Sequence, residues 1–167
     1  MSIPVPAVVE AIEKQLTHEL YAANCYLAMA YWCQVRDWDG FGKFFHRQAG
    51  EEREHAGKML AHLVDRGVLP RIGALPAPRH EFPSLIDVAR TALELERTNT
   101  AGINAAYAAA LQHNDYPVQI MLQWFINEQV EEEAWGEKMV AKVERASCGG
   151  GSFYLDHHLE KELLGEK

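Results

Sequence analysis

The sequence predicts an all-α fold, a four-helix bundle with a long crossover between helices 2 and 3 and a short fifth C-terminal helix. Two observations favour this fold. The connection between the second and third helical stretches has seventeen residues and four prolines, whereas simple bundle connections need about two to eight residues. In the first helical stretch, apolar residues recur at the three-and-four spacing of a buried stripe, at Ile12, Leu16, Leu20, Ala23, Leu27 and Ala30.

Capping and turn residues set the expected helix limits. Asp39, Ser84 and Asp115 are suitable N-caps for helices 2, 3 and 4, and Gly67 followed by Pro70 is a typical stop after helix 2. The run SCGGGS predicts a flexible break before the last helix. We expect one domain over residues 1–167. Its helices are predicted at about 6–36, 39–66, 84–113, 115–146 and 153–164, with the bundle over about 6–146.

Composition narrows the range of partners. A net charge of −8 argues against nucleic acid, which binds basic surfaces, and leaves metal cations as natural partners. The N-terminal stretch lacks the basic and apolar regions of a signal peptide. No apolar run approaches the roughly eighteen residues needed to span a bilayer. We therefore expect a cytoplasmic protein without a membrane partner.

The three cysteines, Cys25, Cys33 and Cys148, are an odd number and have no CxxC spacing. We interpret them as reduced thiols in a reducing compartment. Their use is left open by the sequence.

Four glutamates recur at matching depths in the four predicted helices. Glu19 and His55 each lie eighteen residues from Asp37 in the first turn, and Glu96 and Glu132 each lie eighteen residues from Asn114 in the second. Eighteen residues correspond to roughly 27 Å of helix. Two hairpins built in this way can bring their carboxylates to one level of the bundle. Glu52 and His55 share one side of helix 2 because they are three residues apart.

Each of these acidic residues also has an ordinary interpretation. GEEREH (50–55) and NEQVEEE (127–133) taken alone are most often solvated helix faces, which would make the protein a structural bundle with surface glutamates. However, Glu19 falls on the apolar stripe of helix 1, and the stripe of helix 4 turns Gln129 and Glu132 inward. Buried carboxylates cost several kcal/mol each unless they are compensated. A pair of hard metal ions would compensate them. Carboxylate-rich sites favour iron, with zinc and manganese as competitors.

The pattern matches a known bundle template in which two helices each give a Glu and the other two each give Glu-x-x-His. The chain resembles the bacterial non-haem ferritins over nearly its whole length. The stretches that carry the resemblance are HELYAANCY (18–26), QAGEEREH (48–55), LELE (93–96), DYP (115–117) and LQWFINEQVEEE (122–133).

The resemblance implies a specific set of site residues. The first iron site would consist of Glu19, Glu52 and His55. Glu52 would bridge to a second iron that is held by Glu96 and Glu132, with Gln129 close by. Tyr26 matches the tyrosine beside the diiron centre and is expected to take part in redox chemistry. The third iron site of the family would map to Glu51, Glu128, Glu131 and Glu132.

Two departures separate the chain from related families. Bacterioferritins close the motif of helix 4 with a histidine, whereas Glu131 closes Glu128-x-x-Glu131 here. They also have a haem-ligating methionine directly after the glutamate of helix 2, where this chain has Arg53. Haem is therefore not expected. The CxxC module of rubrerythrin-like proteins has no counterpart.

The implied function is iron storage with ferroxidase activity. Fe(II) would be oxidised by dioxygen or peroxide at the diiron centre, and Fe(III) oxide would be deposited inside a hollow cage of twenty-four copies. By the same resemblance, His157 and His158 would line a four-fold channel, and His113, Asn114 and Asp115 would line three-fold channels that admit iron. An alternative is a ferritin-like diiron oxidase or peroxidase without mineral storage. The preferred oxidant is left open.

Overall fold

The computed structural model describes residues 3–146 and 149–163, without the side chains of residue 149 and of residues 160–163. Every regular element in these ranges is a helix. The five helices are α1 (Pro6–Gln34), α2 (Asp39–Asp65), α3 (Leu85–Gln112), α4 (Tyr116–Arg145) and α5 (Gly149–Leu163). α1 packs against α2 and α3, α3 packs against α4, and α5 packs on α2 and α4. The predicted four-helix bundle with a short fifth helix is confirmed.

The crossover runs along α1 from one end of the bundle to the other. The backbone N–H of Arg71 donates to the Glu13 carboxylate, and Phe82 makes an edge-on ring contact with Trp32. Since Glu13 and Trp32 lie near opposite ends of α1, the chain returns to the end where α2 began. This path explains why the connection is long and why its prolines are tolerated, because it forms no helix.

Local side-chain caps begin α3 and α4. The side chains of Ser84 and Asp115 accept hydrogen bonds from the backbone N–H groups of Asp87 and Val118, as the sequence predicts. The prediction that Asp39 caps α2 is wrong, because Asp39 lies inside the helix and Trp38 occupies the cap position without a side-chain bond. A carboxylate from α5 replaces that cap.

The predicted break at SCGGGS is wrong for its glycines, which form the first turn of α5. Ser147 and Cys148 lie outside the described residues. Cys25 and Cys33 are free and buried. Within residues 3–146 and 149–163, no helix combines the length and apolar character needed to cross a membrane.

The core has two apolar clusters. One contains Tyr26, Met29, Phe41 and other side chains from the beginning of α2. The other contains residues near the opposite end, such as Leu16 and Phe125. Between the two clusters each of the four long helices contributes buried polar residues, so that a polar layer crosses the bundle. This layer consists of Gln15, Glu19, Gln48, Glu52, His55, Glu96, Asn99, Gln129 and Glu132.

The predicted stripe of α1 is largely correct. Ile12, Leu16, Ala23 and Ala30 are buried, whereas Leu20 and Leu27 are only partly buried at the edge of the clusters. The stripe therefore positions Glu19 in the interior, where its carboxylate is 0% exposed.

Candidate metal centre

Three side chains converge in the polar layer. Glu19, Glu52 and His55 each offer a ligand atom, and these atoms lie within 4.8 Å of one another. His55 Nδ1 is 3.5 Å from Glu52 Oε2 and 4.0 Å from Glu19 Oε2. Glu52 and His55 reach the same point because they are one helical turn apart on α2, and Glu19 faces them from α1. Two anionic oxygens and one imidazole nitrogen can together hold a divalent cation.

Glu96 and Glu132 approach the same layer from α3 and α4. Tyr26 donates its phenolic O–H to Glu96 Oε1, and the Trp135 indole N–H donates to Glu132 Oε2. Gln48 Nε2 also donates to Glu132 Oε2, at 2.9 Å. These donors hold each carboxylate by one oxygen and leave its second oxygen for another partner.

Burial and neighbouring charges raise the pKa values of the carboxyl groups in this layer. Burial raises the pKa of Glu96 to about 7, and burial together with the charge of Glu96 raises the pKa of Glu132 to about 8. The pKa values of Glu19 and Glu52 lie well above the usual carboxyl range, mainly because of burial and then because of neighbouring carboxylates. Without a cation, the layer therefore holds protons near neutral pH.

Several polar atoms of the layer are buried without a hydrogen-bond partner. They include one carboxylate oxygen each from Glu19, Glu52 and Glu96, and also His55 Nδ1. Buried acceptors normally have partners, and the ligand atoms of Glu19, Glu52 and His55 lie close enough together to form a site for positive charge. This geometry fits the donor preferences of Fe(II), Mn(II) and Zn(II).

Sequence reasoning missed four residues that support the carboxylates. Gln15 Nε2 donates to Glu19 Oε1 at 2.9 Å, and Asn99 Nδ2 donates to Glu52 Oε2 at 3.4 Å. Gln48 and Trp135 hold Glu132. Their spacing is a usable signal, because an amide or indole three or four residues from an inward acid shares its helix face.

The chain is similar to proteins of one family over most of its length. A ferritin-like domain matches residues 9–146 of the chain. The bacterial non-heme ferritin of Staphylococcus aureus (strain MRSA252) is 36% identical over 154 residues, which cover 92% of this chain and 91% of the relative. That of Campylobacter jejuni is 35% identical over 161 residues, which cover 96% of each.

The chain belongs to the ferritin-like family. Its structure is similar to that of an open pore ferritin from the hyperthermophilic archaeon Archaeoglobus fulgidus, with a TM-score of 0.92, 31% identity and coverage of 95% of this chain and 98% of that one. An engineered closed form of the archaeal ferritin gives a TM-score of 0.90 at 30% identity, with coverage of 93% and 96%. The predicted resemblance to bacterial non-haem ferritins is confirmed.

Three of the four residues expected to form the third iron site of a ferritin lie outside the buried layer. Glu51 and Glu128 are half-buried and Glu131 is exposed, and they line an open cleft of about 530 Å³ between α2 and α4. Glu132 reaches this cleft from the buried layer. Within the part of the chain that the structure describes, these four carboxylates do not converge as closely as Glu19, Glu52 and His55 do.

The residues expected to line ferritin channels are at the ends of the bundle. His157 and His158 lie with ring centroids 5.4 Å apart on α5, and His113 and Asn114 are exposed. Asp115 differs from this expectation. Its buried carboxylate accepts two hydrogen bonds from Arg66, at 2.9 and 3.3 Å, and ties the end of α2 to the start of α4, so its charge is neutralised locally.

Proposed function

We propose that this protein is an iron-storing ferritin with ferroxidase activity. The observation that carries the proposal is the convergence of the Glu19, Glu52 and His55 ligand atoms within 4.8 Å, in a buried layer that also holds Glu96 and Glu132. Membership of the ferritin-like family supports it. The single-domain organisation over residues 1–167 and a cytoplasmic location belong to the same proposal.

In this proposal iron is the substrate. The first Fe(II) would bind Glu19, Glu52 and His55, and the second would bind Glu96 and Glu132, with Glu52 as the bridge. The unpaired oxygens of Glu19, Glu52 and Glu96 support these assignments. The cations would replace the protons that the raised pKa values of Glu96 and Glu132 retain.

The anionic ligand set favours Fe(III) over Fe(II), and so promotes oxidation. Two Fe(II) ions supply the two electrons that convert dioxygen to hydrogen peroxide, or hydrogen peroxide to water. Tyr26 is the proposed redox side chain, because its hydroxyl contacts Glu96 within the layer. We propose that Fe(III) then passes through the cleft lined by Glu51, Glu128 and Glu131.

We further propose that the product is stored as a hydrated oxide inside a homo-oligomeric cage of twenty-four copies. The relatives that are named as ferritins support an assembly of this kind. The cleft between α2 and α4 would then open toward the interior of the cage. Neither haem nor nucleic acid has a role in this scheme.

The deciding experiment measures the iron that stays soluble per chain after aerobic addition of excess Fe(II) to the metal-free protein. We expect retention far above the few ions that the side chains can coordinate, together with an assembly of the size of a cage. Retention that stops at two or three ions per chain would instead support a diiron oxidase or peroxidase without storage. A Glu81→Gln variant, which changes an exposed acid of the crossover, is a suitable control.

A further inference from the structure

The hydroxyl of Thr100, on α3, lies between two acceptors on α4. Its oxygen is 2.9 Å from Gln129 Oε1 and 2.6 Å from Glu133 Oε1. A hydroxyl group has one hydrogen, so Thr100 can donate to only one of them. The shorter contact has the length of a charge-assisted O–H···O⁻ bond, and without a hydrogen between them the two oxygens would repel. The Thr100 proton therefore points to Glu133.

This assignment determines the orientation of the Gln129 amide. With the hydroxyl hydrogen directed to Glu133, the amide atom that is 2.9 Å from Thr100 must be the donor. The nitrogen and oxygen of a glutamine amide have nearly the same shape, and the hydrogen-bond network decides between them. The amide N–H₂ group therefore faces Thr100, and the carbonyl oxygen takes the opposite position.

The opposite position is in the buried layer. Gln129 is 3% exposed, and in the other orientation its Nε2 atom is buried there without any partner. Turning the amide removes this unsatisfied donor. Buried polar groups rarely lack a hydrogen-bond partner. Gln129 lies close to the Glu96 carboxyl and precedes Glu132 by one helical turn. A carbonyl oxygen at this point is a neutral, hard donor beside two carboxylates.

We propose that Thr100 and Glu133 are positioning residues that turn the carbonyl oxygen of Gln129 toward the second metal ion of the layer. This inference rests on the proposed function of the layer as a two-metal site. Glu133 orients the Thr100 hydroxyl, Thr100 accepts from the Gln129 amide, and Gln129 presents its oxygen to the metal. Thr98 provides a contrast, because its hydroxyl donates to the Glu94 backbone carbonyl instead.

The test uses Co(II), whose visible absorption reports its ligands, in titrations of the metal-free assembled protein. Thr100→Val keeps the size and branching of the side chain but removes the hydroxyl. We expect it to weaken binding of the second Co(II) ion about ten-fold. This is the lower end of the loss that is typical when a residue that hydrogen-bonds a metal ligand is removed. Thr100→Ser should bind as the parent does, and so should the matched control Thr98→Val.

Glu133→Gln provides a second route to the same result. A neutral amide at position 133 can donate to Thr100, which frees the hydroxyl hydrogen for Gln129 and reverses its amide. We expect weaker binding of the second Co(II) ion here too. Glu137→Gln is the matched charge control, because Glu137 lines a groove between α3 and α4 together with Thr100 and Glu133, and pairs with Arg97 at the surface.

A double-mutant cycle separates positioning from general stability. Gln129→Glu offers an oxygen in either orientation, so adding Thr100→Val to it should change Co(II) affinity by less than about two-fold. Parent-like binding by Thr100→Val, or the same loss in both backgrounds, would overturn the inference and leave the two-metal site intact. A parent protein that fails to bind two Co(II) ions per chain would overturn the proposed site together with the inference.

Discussion

The carboxylate of Asp156, in α5, accepts a hydrogen bond from the backbone N–H of Phe41 in the first turn of α2, at 2.9 Å. Its second oxygen accepts from the N–H of Gly40 at 3.2 Å. The first N–H groups of a helix have no partner within the helix, and no side chain at Trp38 provides one. A residue 115 positions after Phe41 therefore caps α2. The two helices approach so closely here that a Cβ on Gly40 would lie only 2.0 Å from the Asp156 backbone oxygen.

Replacing Asp156 by Ala should loosen α5 and the start of α2 together. Loss of an N-cap costs about 1 kcal/mol of stability, and denaturant unfolding measures it. Burial and then the charge of Asp156 raise the pKa of Cys33 to about 12, so the variant should also let Cys33 react faster with a thiol reagent. The labelling is best done with Cys25 and Cys148 replaced by Ser. Asp39→Ala is the matched control, and an equal effect of both changes would contradict the capping role.

Replacing Glu52 by Gln should abolish rapid Fe(II) oxidation and reduce metal binding to at most one ion per chain. The change keeps the shape of a side chain that is 0% exposed but removes the charge that both metal sites would share. The loss of affinity should exceed the roughly 10–100-fold typical of outer-shell changes. Stopped-flow absorbance and metal titration measure the two effects. Parent-like oxidation by this variant would refute the bridging role of Glu52.

The metal-free protein should lose stability as the pH rises from about 4.5 to about 8. The pKa values of Glu96 and Glu132 are raised to about 7 and about 8, above the value of the unfolded chain. The folded state therefore holds protons that the unfolded state has released. The stabilising contribution of these protons is complete below the carboxyl pKa of the unfolded chain. It disappears as the pH passes the pKa values of Glu96 and Glu132 in the folded protein.

Thermal melts of the metal-free protein across this pH range check the direction. Glu132→Gln should flatten the upper part of the curve, because it removes the group that titrates there. Saturation with Zn(II) should reduce the loss at high pH, since a cation that binds only the folded state stabilises it. A stability that increases with pH in the metal-free protein would contradict the protonated layer.

Replacing Tyr26 by Phe should slow iron turnover while leaving Co(II) binding within about two-fold at alkaline pH. Tyr26 donates to Glu96, and this bond helps to lower the pKa of the Glu96 carboxyl. At about pH 8.5 Glu96 is largely ionised with the tyrosine present, which reduces the indirect effect on binding. Matched losses of turnover and affinity would show a purely structural role for Tyr26.

The helices and most of the centre could be predicted from local patterns. The three-and-four spacing of apolar residues located α1, and the capping residues Ser84 and Asp115 set the starts of α3 and α4. Glu19 and His55 are equally far along the chain from the turn at Asp37, and Glu96 and Glu132 from the turn at Asn114. This spacing predicted that the four side chains share one level of the bundle. Both turn residues have positive φ, of 60° and 54°, in the left-handed region that ends helices.

The errors arose where a distant part of the chain replaced a local solution. Asp39 has the chemistry of an N-cap, but Asp156 occupies that role from α5. The glycines after residue 148 have low helix propensity, yet they form the first turn of α5, a helix that packs against α2 and α4. The pairing of Asp115 with Arg66 is also a contact between distant parts of the chain, which local patterns do not specify.

By itself, the sequence determined the number of helices, the long crossover and the acidic positions that face inward, because helical periodicity and turn chemistry are local properties. The tertiary structure decided which oxygens of those acids are held by Tyr26, Asn99 and Trp135 and which are left for a cation. It also decided that the hydroxyl of Thr100 reaches α4. Hydrogen bonds between helices depend on distances of a few tenths of an ångström, and residue spacing along one helix does not specify them.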